Sequence, residues 1–397
     1  MTSWWACLPG LARKRRPPKA PPGRVQRSNL MNRRAFLLAL APTLSCTRLP
    51  AAGFHVFVAN QEGRSVAVVD LTTFRVIKEI GIDGAPTAIF SHPRRPAVYV
   101  LTPPTGTVHE IDPASFGVRR KVRIAPSALT MRPAADGQSL WILSREARAL
   151  IQLDLDRFQA GARLQLPGTP EDFDLSAEHA AISFSADGGF AIARLASGQV
   201  APMAPSGPGA QTIRFYHQGR QLLCGNRGNR TVTIFDVEKS RVVAHLPVAV
   251  APENFCFKAA NDGELYVTGA GLDALVVIYP YQSEVYETRL VGRSPGAMAV
   301  SSSPEYLFVA NTESETVTVM NVETGKMVAV AVGAEPRHIA VTPDDQYALT
   351  LNRRSGDMAV IRIPALENKD RAKMSPTPLF TMIPVGSKPV SAAIRRV

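Results

Sequence analysis

The stretch Tyr306-Leu-Phe-Val-Ala-Asn311, Thr316-Val-Thr-Val-Met-Asn321, Thr324-Gly-Lys326 and Val332-Gly-Ala-Glu-Pro336 decides the fold. Its apolar runs are about six residues long, and Thr316 to Val319 alternates threonine with valine. Such β-branched alternation suits a pleated strand packed on both faces. The polar links Thr312-Glu-Ser-Glu315 and Asn321-Val-Glu-Thr324 separate the runs too closely for helices and read as turns.

Outward from this unit, the same second strand recurs along the chain. Its first apolar residues are Val56, Val98, Leu140, Ala181, Leu222, Leu265, Leu307 and Ala348, spaced by 42, 42, 41, 41, 43, 42 and 41 residues. A period that regular, with four strand-like runs in each unit, is the mark of a β-repeat array or propeller. Innermost strands are expected to start at Pro86, Pro126, Pro170, Gln211, Pro252, Pro295, Pro336 and Pro389. The expected fold is all-β: a single β-propeller of eight four-stranded blades, with seven as the alternative. The body begins on a second-position strand, His55 to Asn60, and ends on an innermost one, Pro389 to Ile394. The closing blade is therefore shared by the N- and C-terminal strands, which removes free sheet edges.

The quoted residues resemble the YVTN-family β-propeller repeat, as do Val56 to Asn60, Ser65 to Asp70 and Pro86 to Ser91. The resemblance covers nearly all of residues 54–397, although the unit around Ala181 to Pro208 matches only through its spacing. It implies a propeller and is weak for activity. The repeat is distantly similar to the haem-binding propellers of dissimilatory nitrite reductase, but no CxxCH site is present for a covalent haem.

Charge is concentrated ahead of the repeats. The formal net charge is +12, but residues 1–46 carry nine Lys and Arg and no acid, leaving 36 basic against 33 acidic residues, a net of +3. A nearly balanced body argues against nucleic acid as partner. Residues 1–30 form a basic, proline-rich leader, or upstream sequence ahead of a true start at Met31. Residues 31–52 form a signal segment in which Arg33-Arg34 precede a short apolar run, an arrangement that resembles a twin-arginine export signal. The run is too short to span a bilayer. Cys46 is the candidate lipidation site. The other reading is an ordinary peptidase cut after Ala51 or Ala52. Residues 53–397 form the propeller, expected in the periplasm or cell envelope as a monomer, touching membrane only through a lipid on Cys46.

Recurrent polar residues have structural readings first. Asp70, Asp112, Asp154, Asp236 and Asn321 each open a turn, where a short side-chain oxygen accepts from backbone N–H groups. Asn60, Asn226, Asn311 and Asn352 recur after the second strand, and Asn60, Asn311 and Asn352 are also candidate ligand contacts on one rim. The histidines lack metalloenzyme spacing and the cysteines lack CxxC pairing, so no metal site is indicated. His338, beside Arg337 at the start of an innermost strand, is the one candidate for cofactor or anion binding at the channel mouth. Cys224 and Cys256 read as buried free thiols.

Glycine-rich phosphate loops and GxSxG elbows are absent. The expected function is non-enzymatic: a binding or scaffold propeller whose loops on one face take a protein, peptide or envelope component, with no resident cofactor. The second-to-third-strand loops, including Gln61-Glu-Gly-Arg64 and Arg353-Arg-Ser-Gly356, are its most polar parts. The candidate partner-binding residues are Arg337, His338, Asn60, Asn311, Asn352 and Arg353, with Glu335 beside them. The alternative is a lactonase-type enzyme or a haem-d-type cofactor carrier at the channel mouth.

Overall fold

The computed structural model describes residues 53–259, 261–366 and 377–397. The signal segment, Cys46 and the charged insertion at 367–376 lie outside the described residues. The described chain forms eight four-stranded antiparallel sheets, arranged as the eight blades of a propeller. We number the blades in order of their second strands: blade 1 (54–81 with 389–396), blade 2 (88–123), blade 3 (130–165), blade 4 (173–205), blade 5 (210–247), blade 6 (251–290), blade 7 (295–331) and blade 8 (336–384).

Ring closure follows the sequence expectation. Phe54–Asn60 pairs antiparallel with Pro389–Arg396, from Phe54↔Arg396 to Asn60↔Pro389. Gln61 N donates to Lys388 O at 2.9 Å, and Val397 N to Gly53 O at 2.9 Å. The eight-blade expectation therefore holds over its alternative of seven.

Second strands such as Val98–Thr102 and Tyr306–Asn311 are buried along their whole length, whereas the outer strand Glu284–Leu290 alternates with solvent. That gradient reflects how the core is divided: each junction between neighbouring blades has its own apolar cluster. The third strand Thr316–Asn321 is buried on both faces, as its β-branched alternation requires.

The glycine and the asparagine of the repeat prove to be one device. A Cβ on Gly386 would lie 2.4 Å from Asn60 Nδ2, and one on Gly333 2.7 Å from Asn352 Nδ2. The bare glycine lets the incoming loop close over an amide that holds the blade together. Asn311 Nδ2 donates to Thr316 Oγ1 at 3.1 Å and Thr318 Oγ1 at 2.9 Å, and Asn60 Nδ2 to Val385 O at 2.7 Å. The recurrent Asp residues act as turn openers: Asp70 Oδ1 accepts from Thr72 N at 2.8 Å and Asp154 Oδ1 from Asp156 N at 2.9 Å.

Blade 4, the unit that matched the repeat only by spacing, is also the irregular one. Its inner strand is Phe173–Leu175 and its outer strand only Ala204–Pro205. Cys224 is buried and Cys256 half-buried, both are free, and burial pushes each thiol up to about 12. Two inert thiols result.

Candidate functional site

Because strands alternate in direction, second-to-third-strand loops and the links into each next inner strand emerge on one face of the ring. The residue just before the inner-strand proline is left-handed in three blades: Ser294 (φ 54), Glu335 (φ 60) and Lys388 (φ 58). A left-handed residue is costly unless its surroundings hold it. Here the Glu335 carbonyl accepts from Arg353 N at 2.9 Å, and the Lys388 carbonyl from Gln61 N.

This geometry gathers charge over blades 7, 8 and 1. Glu335 Oε1 accepts from Arg337 Nε at 3.1 Å and Arg353 Nη1 at 3.5 Å. Lys388 Nζ contacts Glu62 Oε1 at 2.8 Å, and Arg354 is paired closely with Glu315. Two cavities result. One of about 620 Å³ is bordered by Glu62, Glu335, Arg353, Arg354, Ser355 and Lys388. The other, about 450 Å³, takes in Arg293, Glu313 and Arg337 and shares Glu335 and Arg354 with the first. The more open of these pairs, Arg337–Glu335 and Arg354–Glu315, contribute only about 0–1 kcal/mol each, so an incoming anion exchanges with them cheaply. Arg353 Nε is buried with no partner among the described residues. The hydrogen bond and charge of Lys388 hold the Glu62 carboxyl below its usual range.

Arg337 and Arg353, singled out in the sequence, thus meet at Glu335. His338 sits differently. It lies half-buried in the channel wall, where its Nε2 accepts from Ala392 N at 3.2 Å across the junction with blade 1. Burial lowers its pKa to about 4, so the imidazole is neutral at pH 7. With Nε2 accepting, the proton sits on Nδ1, and neither nitrogen offers a free lone pair while the bond stands. Asn60, Asn311 and Asn352 are fully buried, their Nδ2 groups donating within or between strands while each Oδ1 is left without a partner among the described residues.

A second charged group was missed in the sequence. Arg132, Asp174 and Arg214 occupy the same inner-strand register in blades 3, 4 and 5, opposite Trp141, Ala181 and Leu223 respectively. Arg132 contacts Asp172 at 3.3 Å and Asp174 at 3.8 Å, and Arg214 is paired closely with Asp172. Phe215 N donates to Asp174 Oδ2 at 2.8 Å. Burial works to raise the Asp172 carboxyl, but the charges of Arg214 and Arg132 outweigh it and hold the group low. At Asp174 burial wins and the pKa is raised. The available signal was spacing: these charges recur at nearly the repeat period, so they stack on adjacent blades.

No family model matches this chain, and no curated protein matches it in sequence. Solved structures do match. Dihydro-heme d1 dehydrogenase NirN in complex with DHE is 15% identical, with TM-score 0.71 over 86% of this chain and 75% of that one. Apo AztD from Citrobacter koseri is 11% identical, with TM-score 0.65 over 87% and 98%. Hydrazine synthase from Kuenenia stuttgartiensis is 16% identical, with TM-score 0.53 over 83% and 99%. At these identities the likeness is one of fold, and by that fold the chain is an eight-bladed β-propeller.

Proposed function

We propose that this chain is an exported, non-enzymatic binding propeller of the YVTN-repeat kind, whose loop-bearing face takes a carboxylate- or phosphate-bearing protein, peptide or envelope component. One observation carries the reading: the two adjoining cavities over blades 7, 8 and 1 share Glu335 and Arg354 and are edged by five cations, Arg293, Arg337, Arg353, Arg354 and Lys388. Loops held on a rigid frame are where recognition concentrates, and arginine forks suit carboxylate and phosphate oxygens.

Envelope proteins should be captured on the immobilised chain at low salt. Capture should fall at least tenfold for Arg353→Ala/Arg354→Ala and be lost at about 0.5 M salt, where the Debye length shrinks to a few ångströms. Capture unchanged by the double variant would sink the reading.

Export and attachment belong to the same proposal and rest on residues 31–46. Intact mass of envelope-derived protein should begin at Cys46 with lipid, or near Gly53 without it. A haem-d-type role finds less support, although NirN is a dihydro-heme d1 dehydrogenase. An axial ligand needs an open imidazole nitrogen, and His338, the one residue the sequence offered for it, has its Nε2 engaged by Ala392 N. A lactonase-type reaction has no polar cluster assigned to it beyond this same basin.

A further inference from the structure

Blade 4 departs from its neighbours where Pro202 and Pro205 interrupt the outer strand. Proline cannot donate to a ladder, and only Gly189↔Pro205 and Phe190↔Ala204 pair there, with one isolated bridge at Ala193↔Val200. Outer strands of the other blades run five to seven residues. The space left at the junction with blade 5 is a cavity of about 490 Å³.

Its lining is graded. Phe190, Ile192 and Arg194 follow one another on one face of the third strand, because alternate residues share a face. By strand rise they span about 13 Å. Phe190 packs edge-to-face on Phe235 at 5.0 Å, closing the apolar end together with Met203, which lies against Gly189. Arg194 stands directly opposite His179 on the second strand, so the two share the other end. Among the described residues, neither side chain makes a hydrogen bond or ion pair. An apolar slot with an exposed, unpaired guanidinium at its mouth suits an amphipathic anion.

We propose that this slot binds an amphipathic carboxylate: a single anionic head facing Arg194 and His179, on an apolar body of about eight carbons filling the gap beside Phe190, Ile192 and Met203. The cavity volume lies within the ordinary range for small-molecule sites, about 300–1,000 Å³. The slot is bounded by turns on the face opposite the polar basin, so it is independent of the function proposed above.

Calorimetric titration of the full chain with octanoate should show one saturable site, with 1-octanol binding at least tenfold more weakly. Arg194→Gln should weaken octanoate at least tenfold and leave 1-octanol unchanged. Met203→Trp, which fills the slot, should abolish both, with circular dichroism confirming an unchanged unfolding midpoint. Should that variant not fold, Ala201→Trp at the exposed lip performs the same block. Arg353→Ala/Arg354→Ala should leave octanoate binding intact, which separates this site from the basin. Absence of saturable octanoate binding, or binding indifferent to Arg194→Gln or to the blocking tryptophan, overturns the proposal.

Discussion

Blade 7 and blade 4 are built on the same plan and use it oppositely. Blade 7 has strands of six, six, six and five residues, closed by Asn311 bonding across to Thr316 and Thr318. Blade 4 has strands of three, six, six and two, and its second strand ends at Phe184 where blades 1, 5, 7 and 8 end in asparagine. In the regular blade the recurring polar side chains serve the blade itself, Asn311 bonding to two threonine hydroxyls and Asn321 accepting from a turn N–H. In the irregular one Asp172 and Asp174 join a charged cluster in the inner wall, and a cavity opens at the outer edge. Repeat fidelity and chemical availability compete for the same positions.

The largest test removes the shared closure. Deleting residues 386–397 strips blade 1 of its inner strand and reopens the edge of Phe54–Asn60. The expected loss exceeds about 5 kcal/mol, comparable to the whole margin of many domains, and calorimetry should show no cooperative transition near the parent's. A normal midpoint would mean that the regular blades do not need the ring.

Next comes the charged wall of blade 4. Asp172→Ala leaves Arg132 and Arg214 facing each other, which in a fully buried setting costs about 3–5 kcal/mol. The side chains keep 18–28% exposure, so about 2–3 kcal/mol is expected in urea unfolding. Glu335→Ala on the rim should cost no more than about 1 kcal/mol. Equal losses would erase the distinction between a built wall and an exchangeable rim.

A finer comparison uses glycine. Gly386→Ala places a Cβ 2.4 Å from Asn60 Nδ2 at φ +132, and about 2–3 kcal/mol of destabilisation is expected from contact plus strain. Gly198→Ala in blade 4 meets only Leu164 at 3.5 Å, at φ +71, and should cost about 1–2 kcal/mol. Thermal midpoints of the two variants settle the order.

The last comparison is in pH. His338 has its pKa depressed from 6.5 to about 4 in the folded state, so folding favours the neutral ring. Its contribution is present above pH 6.5 and lost as pH falls toward 4. His338→Gln keeps an acceptor for Ala392 N without titrating. The variant should therefore lose less stability than the parent between pH 6.5 and 4, and parallel curves would place the imidazole in solvent.

Much of the fold was legible because each blade is a local unit. Turn aspartates, β-branched alternation and the 41–43-residue spacing each act within about forty residues, so they can be read in order. Arg337 and Arg353 were legible as charges near the channel mouth, but not their meeting at Glu335, which depends on the left-handed backbone at position 335. The three rim asparagines were legible as a position recurring after the second strand, while their complete burial beneath Gly333 and Gly386 or against Thr318 was not. Arg132, Asp174 and Arg214 went unread because no motif marks them. Their near-repeat spacing was the one signal, and the pairing register shows that it sets them in one layer.

The sequence by itself determined the all-β class, the number of repeats and the sharing of the last blade between the two termini, because periodicity and turn chemistry are properties of neighbouring residues. Only the tertiary structure decided which charges converge, that His338 gives its Nε2 to a strand rather than to the channel, and that the weakest repeat leaves a cavity. Those outcomes depend on contacts between blades, where residues some forty positions apart, or at opposite ends of the chain, are brought within a few ångströms by closing the ring.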